Sequence, residues 1–462
     1  MGRSGLGGAG VGHPARPTGP DGVARMDRRE SSPVVPRPWP PGEKNLLKRG
    51  WGSRNGQKRG ALPARGRGRR MFNQTTGWRA VAKFVQIGDT HLGKQLFRVR
   101  LIEDQRALLG QVLAIVERER PDALLIAGDV YDVPSPPVYA VSLFDDFLAR
   151  VVHDLAIPTV IIPGNHDSAE RLSFGARAFR RELHIAGPLE GPVEPVTIQD
   201  EQGAVAIYPV PFLKPAHVRA VTGDEAVRDQ QSAMSRVVAD IVAARPPGRS
   251  LLMAHTFVTG GAASDSEQEI GAVGGVETVD AATFEPFDYV ALGHLHRPQS
   301  VGNSRVQYAG SLMKYSLSEV DHPKSVTVVE MNAEGELDVR RVPLAPPRDL
   351  RRVSGTLEEL LARGPEGPTG DYVVATLEDR GPVLHAMDRL REVYPNAIHL
   401  ERPQLVLERS IRLPSQDHTQ LSVRELFTSF FREVTDGDLD PAETQAMDTM
   451  LESLEARVGE TP

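Results

Sequence analysis

The sequence predicts an α/β protein in which two β-sheets pack together, followed by a small α+β module and two C-terminal helices. From about Val81, short apolar runs alternate with helical stretches, the pattern of βαβ units with a largely parallel sheet. Later apolar runs have fewer helices between them, which predicts a second sheet. With 462 residues, 40% of them hydrophobic, the chain exceeds one ordinary globular domain.

The first strands and helices are predicted in alternation, and we place them in residues 81–345. The strands are "KFVQIGD", "ALLIAGD" and "TVIIPGN", and the helices are "QRALLGQVLAIVERER" and "VSLFDDFLARVV". The runs assigned to the second sheet are "AVAIYPV", "SLLMAH", "DYVALGH", "RVQYAGS" and "SVTVVEM". A Pro-rich hinge at 342–349 ends this region.

The remaining chain divides into a module at 346–412 and helices at 413–462. The module has strand, helix and strand signals in "DYVVATLED", "VLHAMDRLREVYP" and "AIHLERP". Ser422 and Glu425 have capping-box spacing before an apolar stripe from Val423 to Val434 that holds three Phe, and Gly437 ends that helix. A second helix is predicted to open at Asp440, Pro441 and Glu443, with Met447, Met450, Leu451, Leu454 and Val458 on one face.

Residues 1–80 are expected to form a disordered basic extension. Residues 1–70 carry 16 Lys and Arg against 4 Asp and Glu, so the remaining chain has a net charge of −19. The segment is interpreted either as a flexible basic arm for DNA or as untranslated sequence before a start at Met71 or Met26. The acidic body argues against broad attraction to nucleic acid, but it leaves room for a local basic groove.

The amino-acid sequence argues against cysteine-dependent sites, membrane spans and a secretory signal. The chain has no cysteine, which excludes disulfides and thiolate metal sites. No apolar run approaches the roughly 20 residues needed to cross a bilayer, and the N-terminus lacks the apolar core of a secretory signal. We therefore expect a cytoplasmic protein.

Polar side chains follow five of the predicted strands directly. They are Asp89, His91, Asp129, Asn165, His166, His255, His294 and His296. Ligands of α/β sheets gather beyond the carboxyl ends of the strands, so these residues are expected to converge. A glycine precedes Asp89, Asp129, Asn165 and His294, and we expect it to let the backbone turn sharply there.

Oxygen and nitrogen donors without sulfur favour Mn²⁺, Fe²⁺ or Zn²⁺ over Ca²⁺. Seven such donors exceed the needs of one ion and suit a pair about 3.5–4 Å apart, which clamps an in-line displacement at phosphorus. A single histidine on a strand is more often a satisfied core or surface residue. The hypothesis therefore depends on the joint pattern.

The series "GDTH", "GDVYD", "GNHD", "AH" and "GHLH" resembles the signature of the calcineurin-like metallophosphoesterases over about residues 83–330. The segments "THLGK", "GDVYDVPSPP", "PVPFLKP", "ALGHLHRPQ", "YAGS" and "LSVRELF" resemble the bacterial SbcD family of nuclease subunits within it. This resemblance implies a four-layer α-β-β-α sandwich, a capping domain for the α+β module, and C-terminal helices that dock on the SbcC ATPase.

The resemblance also implies a role for each matched residue. One metal ion would be held by Asp89, His91, Asp129 and His296, and the other by Asp129, Asn165, His255 and His294, with Asp129 bridging. His166 would be the general acid for the leaving oxygen. Archaeal and eukaryotic relatives have a histidine at the position of Asp132, whereas bacterial members have an aspartate, as here. Asp132 is therefore given no catalytic role. Asp167 is expected to orient the turn around it.

The activity implied is Mn²⁺-dependent hydrolysis of DNA, exonucleolytic on double strands and endonucleolytic on hairpins and single strands, in repair, recombination and replication. SbcC, DNA and a second SbcD copy are the implied partners. The chain has no GxxxxGK[ST] loop of its own, so any ATP dependence would come from a partner. Two alternatives remain: a phosphatase or phosphodiesterase on the same scaffold, and an inactive scaffold for SbcC.

Overall fold

The computed structural model describes residues 81–178, 182–268, 278–365, 367, 370–379, 381, 383–402, 423–435 and 439–458. The predicted extension at 1–80 lies outside these residues, as do Ser422 and Gly437 of the predicted C-terminal helix signals. All described residues fall within one compact unit, Arg69–Pro462.

The described residues contain all ten runs predicted as strands, in order along the chain, and nine further strands. They are β1 (Ala82–Ile87), β2 (Gln95–Leu96), β3 (Val99–Arg100), β4 (Ala123–Ala127), β5 (Thr159–Ile162), β6 (Leu183–Ile185), β7 (Val196–Asp200), β8 (Gly203–Pro209), β9 (Arg249–His255), β10 (Phe257–Val258), β11 (Thr278–Val279), β12 (Tyr289–Gly293), β13 (Gln299–Val301), β14 (Asn303–Tyr308), β15 (Ser325–Met331), β16 (Leu337–Pro343), β17 (Leu350–Gly355), β18 (Tyr372–Leu377) and β19 (Ala397–Glu401).

The helices of the same residues separate and flank these strands. They are α1 (Ile102–Glu119), α2 (Val138–Ala149), α3 (Ala169–Leu172), α4 (Pro215–Thr222), α5 (Gln230–Ala244), α6 (Asp265–Gln268), α7 (Leu357–Arg363), α8 (Ala386–Val393), α9 (Val423–Thr435) and α10 (Pro441–Val458). None of the helices in this part of the chain is long and apolar enough to cross a membrane.

The first sheet has the strand order β16-β15-β1-β4-β5-β6. Strands β1, β4, β5 and β6 are parallel, as the βαβ pattern predicts. Strand β15, the run "SVTVVEM", pairs antiparallel with β1. Its predicted place in the second sheet is therefore wrong, because its backbone hydrogen bonds are made with a strand about 240 residues earlier.

The second sheet has the strand order β13-β14-β12-β9-β8-β7. Strands β8, β9, β12 and β14 are mutually parallel, with antiparallel strands β7 and β13 at the two edges. Its predicted members "AVAIYPV", "SLLMAH", "DYVALGH" and "RVQYAGS" all lie in it. The carboxyl ends of β9 and β12 therefore meet at one edge.

The two sheets bury a shared apolar core. Phe84 and Ile162 of the first sheet pack in one cluster with Ile207, Met253 and Tyr289 of the second. Outside the second sheet, helix α5 packs on the opposite faces of β9 and β12 in a separate cluster. The β1-α1-β4-α2-β5 crossovers place α1 and α2 on the outer face of the first sheet. The α-β-β-α layering is thus confirmed.

Gln86 is a buried polar residue between the sheets. Its Nε2 donates hydrogen bonds to the carbonyl oxygens of Leu292 (3.0 Å) and Gln307 (3.1 Å), and Tyr289 Oη donates to its Oε1 (2.5 Å). A buried amide with unpaired groups would cost about 1–3 kcal/mol, so these hydrogen bonds favour the observed relative placement of the sheets. That placement aligns the ends of β1 and β12.

The α+β module contains a third sheet, with the strand order β17-β18-β19, all parallel. Helices α7 and α8 cover one face with Leu357, Leu360 and Leu390. Thr356 caps α7 in a capping box with Glu359. The signals in "DYVVATLED" and "AIHLERP" are confirmed as β18 and β19.

The C-terminal helices α9 and α10 are connected by an ion pair, Arg424 Nη2 to Asp448 Oδ2 at 2.7 Å. Asp440 Oδ1 accepts hydrogen bonds from the backbone amides of Ala442 and Glu443, which confirms the predicted start of α10. On the predicted apolar face, Met447 is buried whereas Met450 is exposed.

Candidate metal centre

The five polar strand ends converge at one edge of the two packed sheets. Asp89 and Asp129 follow β1 and β4 of the first sheet, and His255 and His294 end or follow β9 and β12 of the second. The backbone amide of His294 donates to Asp89 Oδ1 at 2.8 Å. His255 Nδ1 lies 2.9 Å from the carbonyl oxygen of Ala127. The two sheets therefore join at the site itself.

Asp129 stands between two histidines from different sheets. Its Oδ2 lies 3.2 Å from His255 Nε2 and 3.6 Å from His91 Nε2. Its Oδ1 accepts a hydrogen bond from the backbone amide of His166 at 2.9 Å. Asp129 therefore contacts residues of both predicted ligand sets.

Two tight donor groups surround this position. Ligand atoms of Asp89, His91 and His296 lie within 4.8 Å of one another, and so do those of Asp89, Asp129 and His255. Asp89 therefore belongs to both groups. A third group joins His91 and Asp129 with His166, the residue expected to be the general acid.

Asn165 links His294, the last predicted ligand, to the cluster. Its Oδ1 lies 2.9 Å from His255 Nε2 and 3.1 Å from His294 Nδ1. All seven residues predicted as ligands are thus in or next to one cluster. His294 reaches it through Asn165 and through its ring contact with His255, with centroids 5.3 Å apart.

The electrostatics of the site show opposed effects of burial and charge. Burial acts to raise the pKa of Asp129, but His255, His91 and His166 together outweigh it and hold that pKa well below its usual range. Burial acts to lower the pKa of His255, but the Asp129 carboxylate raises it to about 9. Burial lowers the pKa of His91 to about 4 and, with help from His255, that of His294 to about 3.

These donors fit a pair of divalent cations. Nε2 of His91 faces Nε2 of His296 at 3.1 Å, and two neutral ring nitrogens at that distance need a proton or a cation between them. Asp89 Oδ2 is buried and has no hydrogen-bond partner among the described residues. An unpaired buried carboxylate oxygen is costly unless a cation compensates it.

The backbone at the site is unusual at the predicted ligands themselves. Asp89, His91, Asp129 and His294 have φ values of 49°, 40°, 47° and 103°. Non-glycine residues with positive φ cost about 1–3 kcal/mol each and cluster at functional sites. The prediction that the preceding glycines make the turns is wrong except at Gly128, which has φ 88°.

Two of the other glycines are needed for space. A Cβ on Gly164 would lie 2.2 Å from Asp129 Oδ1, and one on Gly293 would lie 1.8 Å from the carbonyl oxygen of Ala127. Any side chain at either position would displace the cluster.

Asp167 and Asp132 support the site from outside. The Asp167 carboxylate accepts hydrogen bonds from the backbone amides of Val130, Tyr131 and Gly164, as expected for a residue that orients its turn. Asp132 Oδ1 lies 3.4 Å from His91 Nδ1 and 2.8 Å from Lys94 Nζ. Its carbonyl oxygen lies 2.9 Å from His166 Nδ1.

Sequence reasoning missed the buried residues behind His296. Glu319 Oε1 lies 2.9 Å from His296 Nδ1, and Glu319 Oε2 pairs with Lys324 Nζ at 2.5 Å. Lys324 also donates to the carbonyl oxygen of His296. Neither residue belongs to a strand-end motif, so no local signal separated them from surface charges.

Comparison with known proteins gives two family matches. Residues 82–298 match the calcineurin-like phosphoesterase family, and residues 346–458 match the SbcD C-terminal family, described as the type 5 capsule protein repressor C-terminal domain.

Two relatives, both named as the SbcD subunit of the nuclease SbcCD, match most of the chain. The one from Staphylococcus epidermidis is 31% identical over 380 residues, 82% of this chain and 100% of its own length. The one from Staphylococcus saprophyticus is 30% identical over 375 residues, 80% of this chain and 98% of its own length.

Solved structures match more distantly. A Thermus thermophilus protein, TT1561, and a dimetal phosphatase from Danio rerio are 10% and 12% identical, each over 56% of this chain and over 99% and 96% of their own chains, with TM-scores of 0.33.

The fold and the family match define a calcineurin-like metallophosphoesterase. The relatives narrow the class further, because they span nearly their whole length on this chain at 30% identity or more. The chain belongs to the SbcD family of nuclease subunits.

Proposed function

We propose that this chain hydrolyses DNA phosphodiester bonds as the nuclease subunit of an SbcC–SbcD-type complex, with two Mn²⁺ ions. The observation that carries the proposal is the position of Asp129 between His91 of one ligand group and His255 of the other. Its metal-ligating set is the predicted one: Asp89, His91, Asp129, Asn165, His255, His294 and His296.

The chain's own residues have separable tasks in this reaction. When bound, the ions would lower the pKa of the attacking water and neutralise charge on the phosphoryl oxygens. The Asp132 carbonyl accepts the Nδ1 proton of His166, so the imidazolium form carries its second proton on Nε2, and from there it passes to the departing deoxyribose oxygen. Water adds to phosphorus as the bond to that oxygen breaks.

Substrate choice is proposed to depend on the surroundings of the cluster. Arg297 follows the site strand β12 and Lys214 follows β8; both are exposed and available for phosphate contacts. Lys314 instead pairs with Asp349 at 2.9 Å, so its positive charge is already engaged. We propose that the module at 346–412 is the capping domain that places DNA beside the site.

The helices of 413–462 are proposed to dock on SbcC. In α9, the apolar residues recur at helical spacing while Arg424 and Glu425 are exposed, as in a helix that offers one face to a partner. Deleting residues 415–462 should abolish co-purification with SbcC while the Mn²⁺-dependent cleavage by the isolated chain persists. Unchanged association would contradict the docking.

A second copy of the chain is proposed as a further partner, with an apolar groove between α2 and the α3 region as the contact. The groove has a volume of about 740 Å³ and is lined by Val141, Phe144, Leu148, Leu172 and Phe174. Phe174 in this lining is 84% exposed, and Val138 next to the groove is 81% exposed. Exposed clusters of large apolar side chains mark interaction surfaces.

We also propose a cytoplasmic location, as predicted from composition.

The deciding experiment compares substrates and metals on the purified chain, with and without SbcC. Hairpin DNA, duplex DNA and a chromogenic phosphomonoester are incubated with Mn²⁺, Mg²⁺ or EDTA. We expect cleavage of DNA with Mn²⁺, none with EDTA, and little phosphomonoester hydrolysis. Efficient monoester hydrolysis without DNA cleavage would favour the phosphatase alternative, and inactivity on every substrate would favour the scaffold.

A further inference from the structure

Two pairs of adjacent residues connect the His91 loop with the α+β module. They are Asp104–Gln105 in the first turn of α1 and Lys314–Tyr315 after β14. In each pair, the first residue contacts the hinge or the module. The second contacts the backbone of Thr90 or His91.

The outer contacts hold the hinge to the nuclease body. Asp104 is fully buried and accepts two hydrogen bonds from Arg348, from Nε and Nη2, each 2.8 Å long. Its Oδ2 also accepts from the hydroxyl of Tyr372 in β18 at 2.8 Å. Lys314 Nζ pairs with Asp349 at 2.9 Å. A bidentate arginine contact to a buried carboxylate is among the stronger polar contacts in proteins.

The inner contacts hold the loop that carries His91. Gln105 Nε2 donates to the carbonyl oxygen of His91 at 2.8 Å, and its Oε1 accepts from the amide of Gly93 at 3.1 Å. Tyr315 Oη donates to the carbonyl oxygen of Thr90 at 2.5 Å. Gln105 and Tyr315 also contact each other, Nε2 to Oη, at 3.1 Å.

The loop needs this support because its backbone is strained. His91 has φ 40°, a conformation that a residue with a side chain adopts only where its surroundings impose it. The hydrogen bonds of Gln105 and Tyr315 act on the carbonyl groups on either side of that φ. A small shift of α1 or of the segment at 314–315 would therefore change the direction of the His91 ring.

We propose that Gln105 and Tyr315 are positioning residues for His91, and that docking of the module through Arg348 and Asp349 strengthens metal binding at the His91 group. The coupling rests on the proposed function, in which His91 binds a divalent ion. It requires only that the two adjacent residues of each pair move together.

The test measures Mn²⁺ binding by calorimetry for the full chain and for Arg348→Met. Substitutions of residues that orient a metal ligand typically lower metal affinity about 10–100-fold. We expect a loss of about tenfold at one of the two sites and an unchanged affinity at the other. The control is Arg236→Met, because Arg236 also pairs with acidic side chains and is 33% exposed, compared with 35% for Arg348. Its Mn²⁺ affinities should stay within about twofold of wild type.

Gln105→Leu is the second test variant and should lower the Mn²⁺ affinity of the same site. If both substitutions act along one route, the double variant loses less affinity than the product of the two single losses. Lys314→Met replaces Arg348→Met if the latter does not fold, as judged by circular dichroism of the metal-free protein. Equal affinities for Arg348→Met and Arg236→Met, or fully independent losses, would overturn the coupling. A wild-type chain that binds no Mn²⁺ would remove the proposed function as well.

Discussion

Oδ2 of Asp129 lies 3.2 Å from Nε2 of His255, although the two residues come from different sheets. The same oxygen lies 3.6 Å from His91 Nε2. Asp129 thus belongs to one donor group and contacts His91 of the other, so its removal should affect both.

We predict that Asp129→Asn loses Mn²⁺ affinity by more than about 100-fold, because Asp129 is proposed to bind the ions directly and a direct ligand matters more than the residues behind it. Cleavage of hairpin DNA should fall with it. Circular dichroism and urea unfolding should show a folded protein, since the amide replaces a charge without a change of volume. Mn²⁺-dependent cleavage that survives this substitution would contradict the bridging role.

His166→Asn should separate proton donation from metal binding. We expect DNA cleavage to fall by about 10²–10⁴-fold, the usual contribution of general acid catalysis, with Mn²⁺ affinity unchanged. A bis-nitrophenyl phosphodiester needs no proton on its leaving group, so its hydrolysis should be affected far less. A parallel loss of Mn²⁺ affinity would instead make His166 a ligand, in line with its place near His91 and Asp129.

The metal-free protein should become less stable as the pH rises. Although burial opposes it, Asp129 raises the pKa of His255 to about 9, above its ordinary 6.5. The stability that this pair contributes is therefore complete below about pH 6.5 and lost as the pH rises through about 9. We expect the free energy of unfolding in EDTA to fall by at most about 3 kcal/mol over that range.

Urea denaturation at several pH values measures this loss. His255→Gln should flatten the dependence, because it removes the titrating group. A metal-free wild-type protein whose stability is constant from about pH 6 to about pH 9.5 would contradict the assigned ion pair.

Gly164→Ala should disrupt the site by steric clash alone. The new Cβ would lie 2.2 Å from Asp129 Oδ1, and such overpacking costs about 1–3 kcal/mol. We expect Mn²⁺ affinity and unfolding temperature both to fall. Gly191→Ala is the matched control, since a Cβ there meets nothing within 4 Å. Identical behaviour of the two variants would show that Gly164 has no such role.

Phe174→Asp should convert the proposed dimer into monomers, because a charge replaces an 84% exposed ring beside the apolar groove. Light scattering after size exclusion gives the mass directly. Leu384→Asp is the control, as Leu384 is 78% exposed on the module and does not line the groove. A wild-type chain that is monomeric at every concentration would rule out this contact.

Every run predicted as a strand is one, because short apolar runs carry a local signal, whereas shorter strands such as β2, β3 and β10 were not predicted. The sequence did not predict the sheet that "SVTVVEM" joins, since that choice depends on pairing with β1 across about 240 residues. Two features of the run, its length and its β-branched residues, are the same in either sheet.

The site was predictable for a related reason. Asp89, Asp129 and His255 all follow or end buried strands, and the ends of parallel strands meet at one edge. Gln105 and Tyr315 were not predictable. A polar residue in the first turn of a helix looks the same in sequence whether it faces solvent or, like Gln105, is 2% exposed behind a strained loop.

The distribution of the proposed ligands over two sheets also determines when, during translation, the site can form. Asp89 and Asp129 leave the ribosome early, whereas His294 and His296 are translated about 165–205 residues later. A nascent chain that has not reached them cannot complete either half of the proposed metal centre. The proposed metal centre can therefore form only after residue 296 has been translated, however early the first sheet begins to fold.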